Sequence, residues 1–150
     1  MLFIEDDITS VDFVPICIWP FEDEIENRIG ELVAYGSTEF RDSGTLNSIE
    51  MIAASANTCR KSHEKLENLA NENTFCAKGV NGIGPCRGDS GGGLVFKEGD
   101  KWYLRGIVST SLKTEDDECD ADNYTVFMNI KKYLDWINIS NKTANAEKVQ

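Results

Sequence analysis

The chain has 150 residues, 41% of them hydrophobic, and a formal net charge of −11. That length supports one modest core, since a domain of this size buries about 68–70% of the surface its unfolded chain exposes. The acidic balance argues against nucleic acid and anionic membranes as partners, and it leaves fold and reaction class open, because net charge speaks to solubility and association.

Residues 1–4 are an apolar run too short for a signal peptide, and Glu5, Asp6 and Asp7 follow it. No stretch reaches the ~20 apolar residues of a membrane span. Residues 8–20 read as a connector, because Pro15 and Pro20 confine any strand there to an edge. Residues 21–28 are acidic and read as loop. Residues 31–36 (E-L-V-A-Y-G) predict a short strand ending in Gly36, and residues 37–45 a turn containing Gly44. Residues 46–54, with Leu46, Ile49, Met51 and Ile52, predict a second strand. Residues 57–70 are rich in Lys, Glu and Leu and predict a short helix, with Cys59 near its start and His63 within it. Residues 71–77 lead into a short strand with Phe75 and Cys76, and a glycine-rich loop spans residues 79–93. Leu94, Val95 and Phe96 begin another strand, and Glu98-Gly99-Asp100 is a hairpin turn signal. Residues 101–110 (K-W-Y-L-R-G-I-V-S-T) carry the strongest strand pattern in the chain. Residues 112–123 form an acidic loop around Cys119, and residues 124–128 the last strand. Ile130, Tyr133, Leu134 and Ile137 fall at helical spacing and predict a terminal helix; residues 142–150 are a polar tail. About six short strands, turns between them and one closing helix predict an antiparallel barrel or sandwich. There is no internal repeat.

The five cysteines are Cys17, Cys59, Cys76, Cys86 and Cys119. None forms a Cys-x-x-Cys pair and His63 is the sole histidine, which argues against a zinc site. Spread-out cysteines in a loop-rich chain read as disulfides and an oxidising compartment. The odd one is either free or paired outside this chain. Sequons at Asn123, Asn138 and Asn141 fit secretion, although the tripeptide is common by chance. A disulfide-bearing secreted chain without a signal sequence leads to the expectation that Met1 is not the natural start.

The chemistry-bearing stretch is residues 85–93, P-C-R-G-D-S-G-G-G. Glycines without Cβ let a substrate approach the backbone closely. A serine hydroxyl is a weak nucleophile until a base takes its proton, and acyl transfer also needs N–H groups aimed at the developing oxyanion. Such a turn can supply nucleophile and oxyanion donors together. The alternative is a glycine-rich loop whose serine only caps a turn.

Several segments together resemble the C-terminal half of the chymotrypsin-like serine proteases. They are V-P-I-C-I-W-P at residues 14–20, A-Y-G at 34–36, T-F-C-A-K-G at 74–79 and P-C-R-G-D-S-G-G-G-L-V-F at 85–96. W-Y-L-R-G-I-V-S at 102–109, Y-T-V-F at 124–127 and Y-L-D-W-I at 133–137 complete the series. The resemblance covers most of residues 8–140, with the flavour of arthropod secreted cascade proteases. It implies an all-β fold: an antiparallel Greek-key six-stranded β-barrel, the second barrel of that fold, with a short intermediate helix and a C-terminal helix. Residues 1–20 would be the tail of a first barrel and the connector, 21–140 the second barrel and terminal helix, and 141–150 a polar tail.

By the same resemblance Ser90 is the nucleophile of an endopeptidase that acts through an acyl-enzyme. The N–H groups of Gly88 and Ser90 form the oxyanion hole, and Asp89 pairs with the amine that activation cleavage creates. For Asp89 the alternative is a turn residue bonding its own backbone. Cys86 pairs with Cys119 and Cys59 with Cys76, while Cys17 ties the domain to an upstream segment or remains a free buried thiol. Gly84, Ser109, Ser111 and Thr125 fall at substrate-pocket positions. Gly84 stands where trypsin-like members carry an aspartate, and Ser111 and Thr125 where they carry glycine. The pocket is therefore expected to be neutral and shallow, suited to small or medium apolar side chains. No cofactor or metal is implied. The partners are a protein or peptide substrate and the missing N-terminal half of the domain, and the location is extracellular.

The triad also needs a histidine base and an aspartate to orient it. In the family both precede the V-P-I-C segment, and neither motif occurs before residue 8. Asp6 and Asp7 lack the flanking pattern. His63, in K-S-H-E-K, reads as a solvated surface residue. The chain alone is thus expected to show negligible proteolysis, and a lone barrel would expose the apolar face that packs on its partner. The competing readings are a non-catalytic protease homologue that binds, and an unrelated β-domain with a chance G-D-S-G-G.

Overall fold

The computed structural model describes residues 14–21, 24–36, 44–116 and 118–147. Asp6 and Asp7, the turn residues 37–43 and Asp117 lie outside the described residues. Seven strands form: β1 (Cys17–Ile18), β2 (Ile29–Ala34), β3 (Asn47–Ala54), β4 (Thr74–Gly79), β5 (Gly93–Glu98), β6 (Lys101–Thr110) and β7 (Thr125–Asn129). Alternation explains the early ones. In β3 Ile49, Met51 and Ala53 point inward, while Ser48, Glu50 and Ile52 face out. A slip of one residue would reverse that pattern, so burial sets the register.

β5, β2, β3, β4, β7 and β6 are hydrogen-bonded in that order, all antiparallel, and β6 returns to β5. This is the expected six-stranded closed barrel, and closure removes sheet edges. β1 adds in parallel to β6 at Cys17↔Tyr103 and Ile18↔Leu104. One edge of β6 therefore carries β1 on its first half and β7 from Gly106 onward. Pro15 and Pro20 bracket β1, which accounts for its two-residue length. The Greek-key crossing is the β4–β5 connection, residues 80–92, which passes from one side of the β2–β3 pair to the other. The glycine-rich loop is that crossing.

Trp19, Leu32, Met51, Phe96 and Phe127 fill the barrel with no exposed surface. Trp19 meets Phe96 edge to face at 5.7 Å between centroids, and the Arg28 guanidinium lies 5.0 Å from its ring. Arg28 also pairs with Glu98. Gly106 is required here, since a Cβ would come within 2.5 Å of Phe75.

A second apolar cluster, with Leu66, Cys76, Leu112 and Val126, seats two helices on β4 and β7. These are α1 (Ala56–Ser62) and α2 (Glu64–Glu67), not the continuous helix expected over residues 57–70. His63 is extended (φ −159°, ψ 137°) and breaks the run. Its Nδ1 accepts from the Lys65 N–H at 3.1 Å, so the ring caps α2. Ser55 caps α1 in the same way, accepting from Thr58 at 3.1 Å. The Cys59–Cys76 disulfide joins α1 to β4. A 3₁₀ turn (Ile130–Tyr133) leads into α3 (Leu134–Glu147). α3 extends into the expected polar tail, because no Gly or Pro interrupts it.

Candidate active site

Ser90 stands exposed at the end of the crossing, three residues before β5 begins at Gly93. The loop is held on both sides of it. Gly91 N–H donates to Val108 O at 3.1 Å, and Val108 N–H donates to Gly92 O at 2.9 Å, which ties the segment to β6. Asp89 N–H donates to Cys86 O at 3.1 Å and closes a tight turn. Gly88 adopts φ +91°, a left-handed conformation that side-chain-bearing residues rarely take.

Asp89 is fully buried beside the exposed serine. Its Oδ1 accepts from Gly36 N–H and its Oδ2 from Cys86 N–H, each at 2.8 Å. The turn reading accounts for the Cys86 bond alone; the Gly36 bond crosses to the residues after β2. Among the described residues, the N–H groups of Gly88 and Ser90 and the Ser90 hydroxyl have no hydrogen-bond partner. A turn that leaves the N–H groups of Gly88 and Ser90 unengaged offers donors to an oxyanion.

A cavity of about 180 Å³ opens beside Ser90, with Ser109, Ser111 and the Cys86–Cys119 disulfide on its walls. The β6–β7 register shifts between Val108 and Thr110, so Ser109 is an extra bulge residue, exposed toward the cavity. Ser111 Oγ and Thr125 Oγ1 are 2.9 Å apart and share a hydrogen bond. Thr125 is buried and, like Gly84, does not border the open cavity. A Cβ on Gly84 would come within 3.2 Å of Ala121 Cα. Ser111 thus borders the cavity and is hydrogen-bonded to Thr125, which does not.

The chain matches the Trypsin family over residues 1–137. It belongs to that family. It is 31% identical over 145 residues to CLIP domain-containing serine protease B15 of Anopheles gambiae, covering 91% of this chain and 38% of that protein. The proclotting enzyme of Tachypleus tridentatus is 29% identical, with 91% of this chain and 37% of that protein aligned. Among solved structures, HL collagenase superposes with a TM-score of 0.65 at 25% identity, over 79% of this chain and 48% of that one. This trypsin-family chain thus spans well under half the length of these curated relatives and about half of the solved fold.

Both disulfides expected from the resemblance form, Cys59–Cys76 and Cys86–Cys119. Cys17 is unpaired and exposed, so the buried-thiol alternative does not hold. His63 is half-buried, engaged with α2 and absent from the cavity wall. The structure adds Arg87 and Lys113, which sequence reasoning left out of the pocket although Arg87 lies inside the motif. No helix among the described residues is long and apolar enough to cross a membrane.

Proposed function

We propose that this chain is the C-terminal half of a secreted serine-type endopeptidase domain, with Ser90 as nucleophile and the histidine and aspartate of the triad supplied from outside these residues. The observation that carries the reading is the exposed Ser90 on a loop pinned by buried Asp89, with two unengaged N–H groups beside it. In the reaction Ser90 Oγ attacks the scissile carbonyl as the imidazole takes its proton. The N–H groups of Gly88 and Ser90 hold the tetrahedral oxyanion. The imidazolium protonates the leaving amine, and water then releases the acyl group by the same steps. In this reading Asp89 pairs with the amine that activation cleavage creates, and its burial and its two backbone donors support a fixed acid at that place. The cavity beside Ser90 is small, and Ser109, Ser111, Arg87 and Lys113 lie on its wall.

A second cavity, about 820 Å³ and lined mainly by apolar side chains such as Val14, Ile16, Val33 and Trp102, supports the missing half as partner. Exposed Cys17 lies on its wall, where a link to an upstream segment is accessible. The disulfides support an extracellular location.

The test is expression of the full-length gene product and of this chain, each assayed on a peptide library. The full-length protein cleaves, Ser90→Ala lowers kcat/KM by at least ~10³, and this chain alone does not cleave. Full activity in the Ser90→Ala protein, or its loss in His63→Ala, would overturn the assignment. Peptide binding without cleavage by an intact full-length protein would favour the non-catalytic homologue.

A further inference from the structure

We infer that Asn138, on α3, carries an N-linked oligosaccharide and that Asn123 does not. The inference rests on the secreted location argued above and is independent of the endopeptidase reading. An acceptor needs Asn-x-Ser or Asn-x-Thr with x other than proline. Three segments satisfy that: Asn123-Tyr124-Thr125, Asn138-Ile139-Ser140 and Asn141-Lys142-Thr143. The motif alone ranks them equally. An attached oligosaccharide is bulky and hydrophilic, so the folded chain must leave it in solvent. The fold separates Asn123 from Asn138 on that requirement.

Asn123 does not meet it. Its side chain is half-buried in the loop before β7, and its Nδ2 donates to Asp120 Oδ2 at 2.9 Å. That nitrogen is the atom to which the sugar would be joined. Thr125 of the same sequon is buried in β7, where its hydroxyl lies 2.9 Å from Ser111 Oγ. A sugar on Asn123 would displace the Asp120 bond one residue after Cys119, which borders the cavity beside Ser90.

Asn138 meets the requirement. It is exposed near the start of α3, and α3 touches the rest of the fold mainly through the 3₁₀ turn before it. Half-buried Tyr133, Leu134 and Ile137 mark the inner side of this segment. Trp136 and Ile139 are 53% and 64% exposed and offer apolar surface to an upstream half. At about 3.6 residues per turn, Asn138 lies about 200° around the helix from Trp136 and about 100° from Ile139. A partner seated on Trp136 thus leaves Asn138 in water. Asn141, three residues on, is exposed as well.

In the transfer, the Asn138 amide nitrogen displaces pyrophosphate from the anomeric carbon of a lipid-linked oligosaccharide pyrophosphate. The N–C bond forms, the C–O bond to the pyrophosphate breaks, and one amide proton leaves. No oxidant or reductant is needed. Transfer acts on the entering chain before α3 forms, and the fold then determines which modified asparagines it tolerates.

The experiment expresses the full-length gene product through the secretory pathway of insect cells. The protein is treated with a peptide N-glycosidase in heavy-oxygen water, which leaves labelled aspartate at each formerly modified asparagine. Peptide mass mapping is expected to find label at Asn138 and none at Asn123. Asn138→Gln and Ser140→Ala should each remove one glycan's mass, Ser140→Thr should keep it, and Asn123→Gln should change nothing. The wild-type map decides the matter even where a variant fails to fold. Secreted, disulfide-bonded protein without label at Asn138 overturns the inference and leaves the secreted reading standing; label at Asn123, or at Asn141 alone, does the same. Reduced, unlabelled protein kept inside the cell overturns both. Label at Asn138 on a protein that cleaves no peptide keeps the inference and removes the endopeptidase.

Discussion

Asp89 Oδ1 accepts the N–H of Gly36 at 2.8 Å across 53 positions of sequence. The bond fastens the nucleophile turn to the end of β2, and it requires glycine at position 36. A Cβ there would overlap the Asp89 carboxylate and come within 2.7 Å of the Asp89 backbone nitrogen. Neither neighbour can yield without moving Ser90. Gly36→Ala is therefore expected to destabilise the protein by about 2–3 kcal/mol through overpacking. Asp89→Asn puts an NH2 group where one carboxyl oxygen accepts, so the amide cannot serve both N–H groups, and it costs about 2–4 kcal/mol. Urea unfolding measures both, and unchanged midpoints would show that the turn is held by other contacts.

The parts of this arrangement legible in the sequence are those set by local pattern. β6 follows its predicted span residue for residue, and β3 differs by one residue at its start. Alternating burial produces such signals directly. The break at His63 was hidden, because helix-forming residues flank it on both sides and a histidine cap carries no strong signature. The meeting of Ser111 with Thr125 depends on the register shift at Ser109, which no local pattern encodes. The same holds for Arg87 and Lys113, whose convergence follows from a disulfide. Spacing alone leaves several cysteine pairings open; resemblance to a family singled out the pairs that form.

The two disulfides close loops of different length, with sequence separations of 17 for Cys59–Cys76 and 33 for Cys86–Cys119. Chain entropy predicts about 3 kcal/mol for the shorter and closer to 4 kcal/mol for the longer. Replacing Cys86 and Cys119 by serine should lower stability by that amount and also loosen the cavity, since both cysteines border it. Replacing Cys59 and Cys76 should release α1 from β4 while leaving the cavity walls joined. Protease susceptibility maps the difference: nicking within residues 111–123 in the first variant, and within residues 56–70 in the second. The same nicking pattern in both variants would refute this division of labour.

Glu26 contributes a pH dependence of defined sign. The Thr58 hydroxyl donates to its Oε1 at 2.6 Å, and the Ser55 N–H lies at 3.5 Å. These hydrogen bonds, Thr58 first and then the Ser55 backbone, hold its carboxyl below the ordinary value of 4.5. A depressed carboxylate favours the folded state above its unfolded pKa, and that contribution disappears as pH falls through the folded value. The melting-temperature gap between the wild type and Glu26→Gln is expected to be full near neutral pH and to narrow below about pH 4.5. A gap independent of pH would mean that the glutamate acts through shape and not through charge.

Ser111, on the wall of the cavity beside Ser90, is hydrogen-bonded to buried Thr125. Both side chains are small, and Thr125 is buried while Ser111 borders the open space. Removing them should deepen the pocket more than it disturbs the barrel, because Ser111 lies outside the strands and only Thr125 sits within β7. In the full-length protein, Ser111→Gly with Thr125→Ala is expected to raise kcat/KM for a Phe or Leu substrate relative to Ala by about 10-fold or more. That is the scale at which a hydrophobic pocket reads one or two added methylene groups. The ratio isolates the pocket, because any loss of folded protein lowers both rates equally. An unchanged ratio, with Ala still preferred, would place the end of the pocket elsewhere than at the hydroxyl pair.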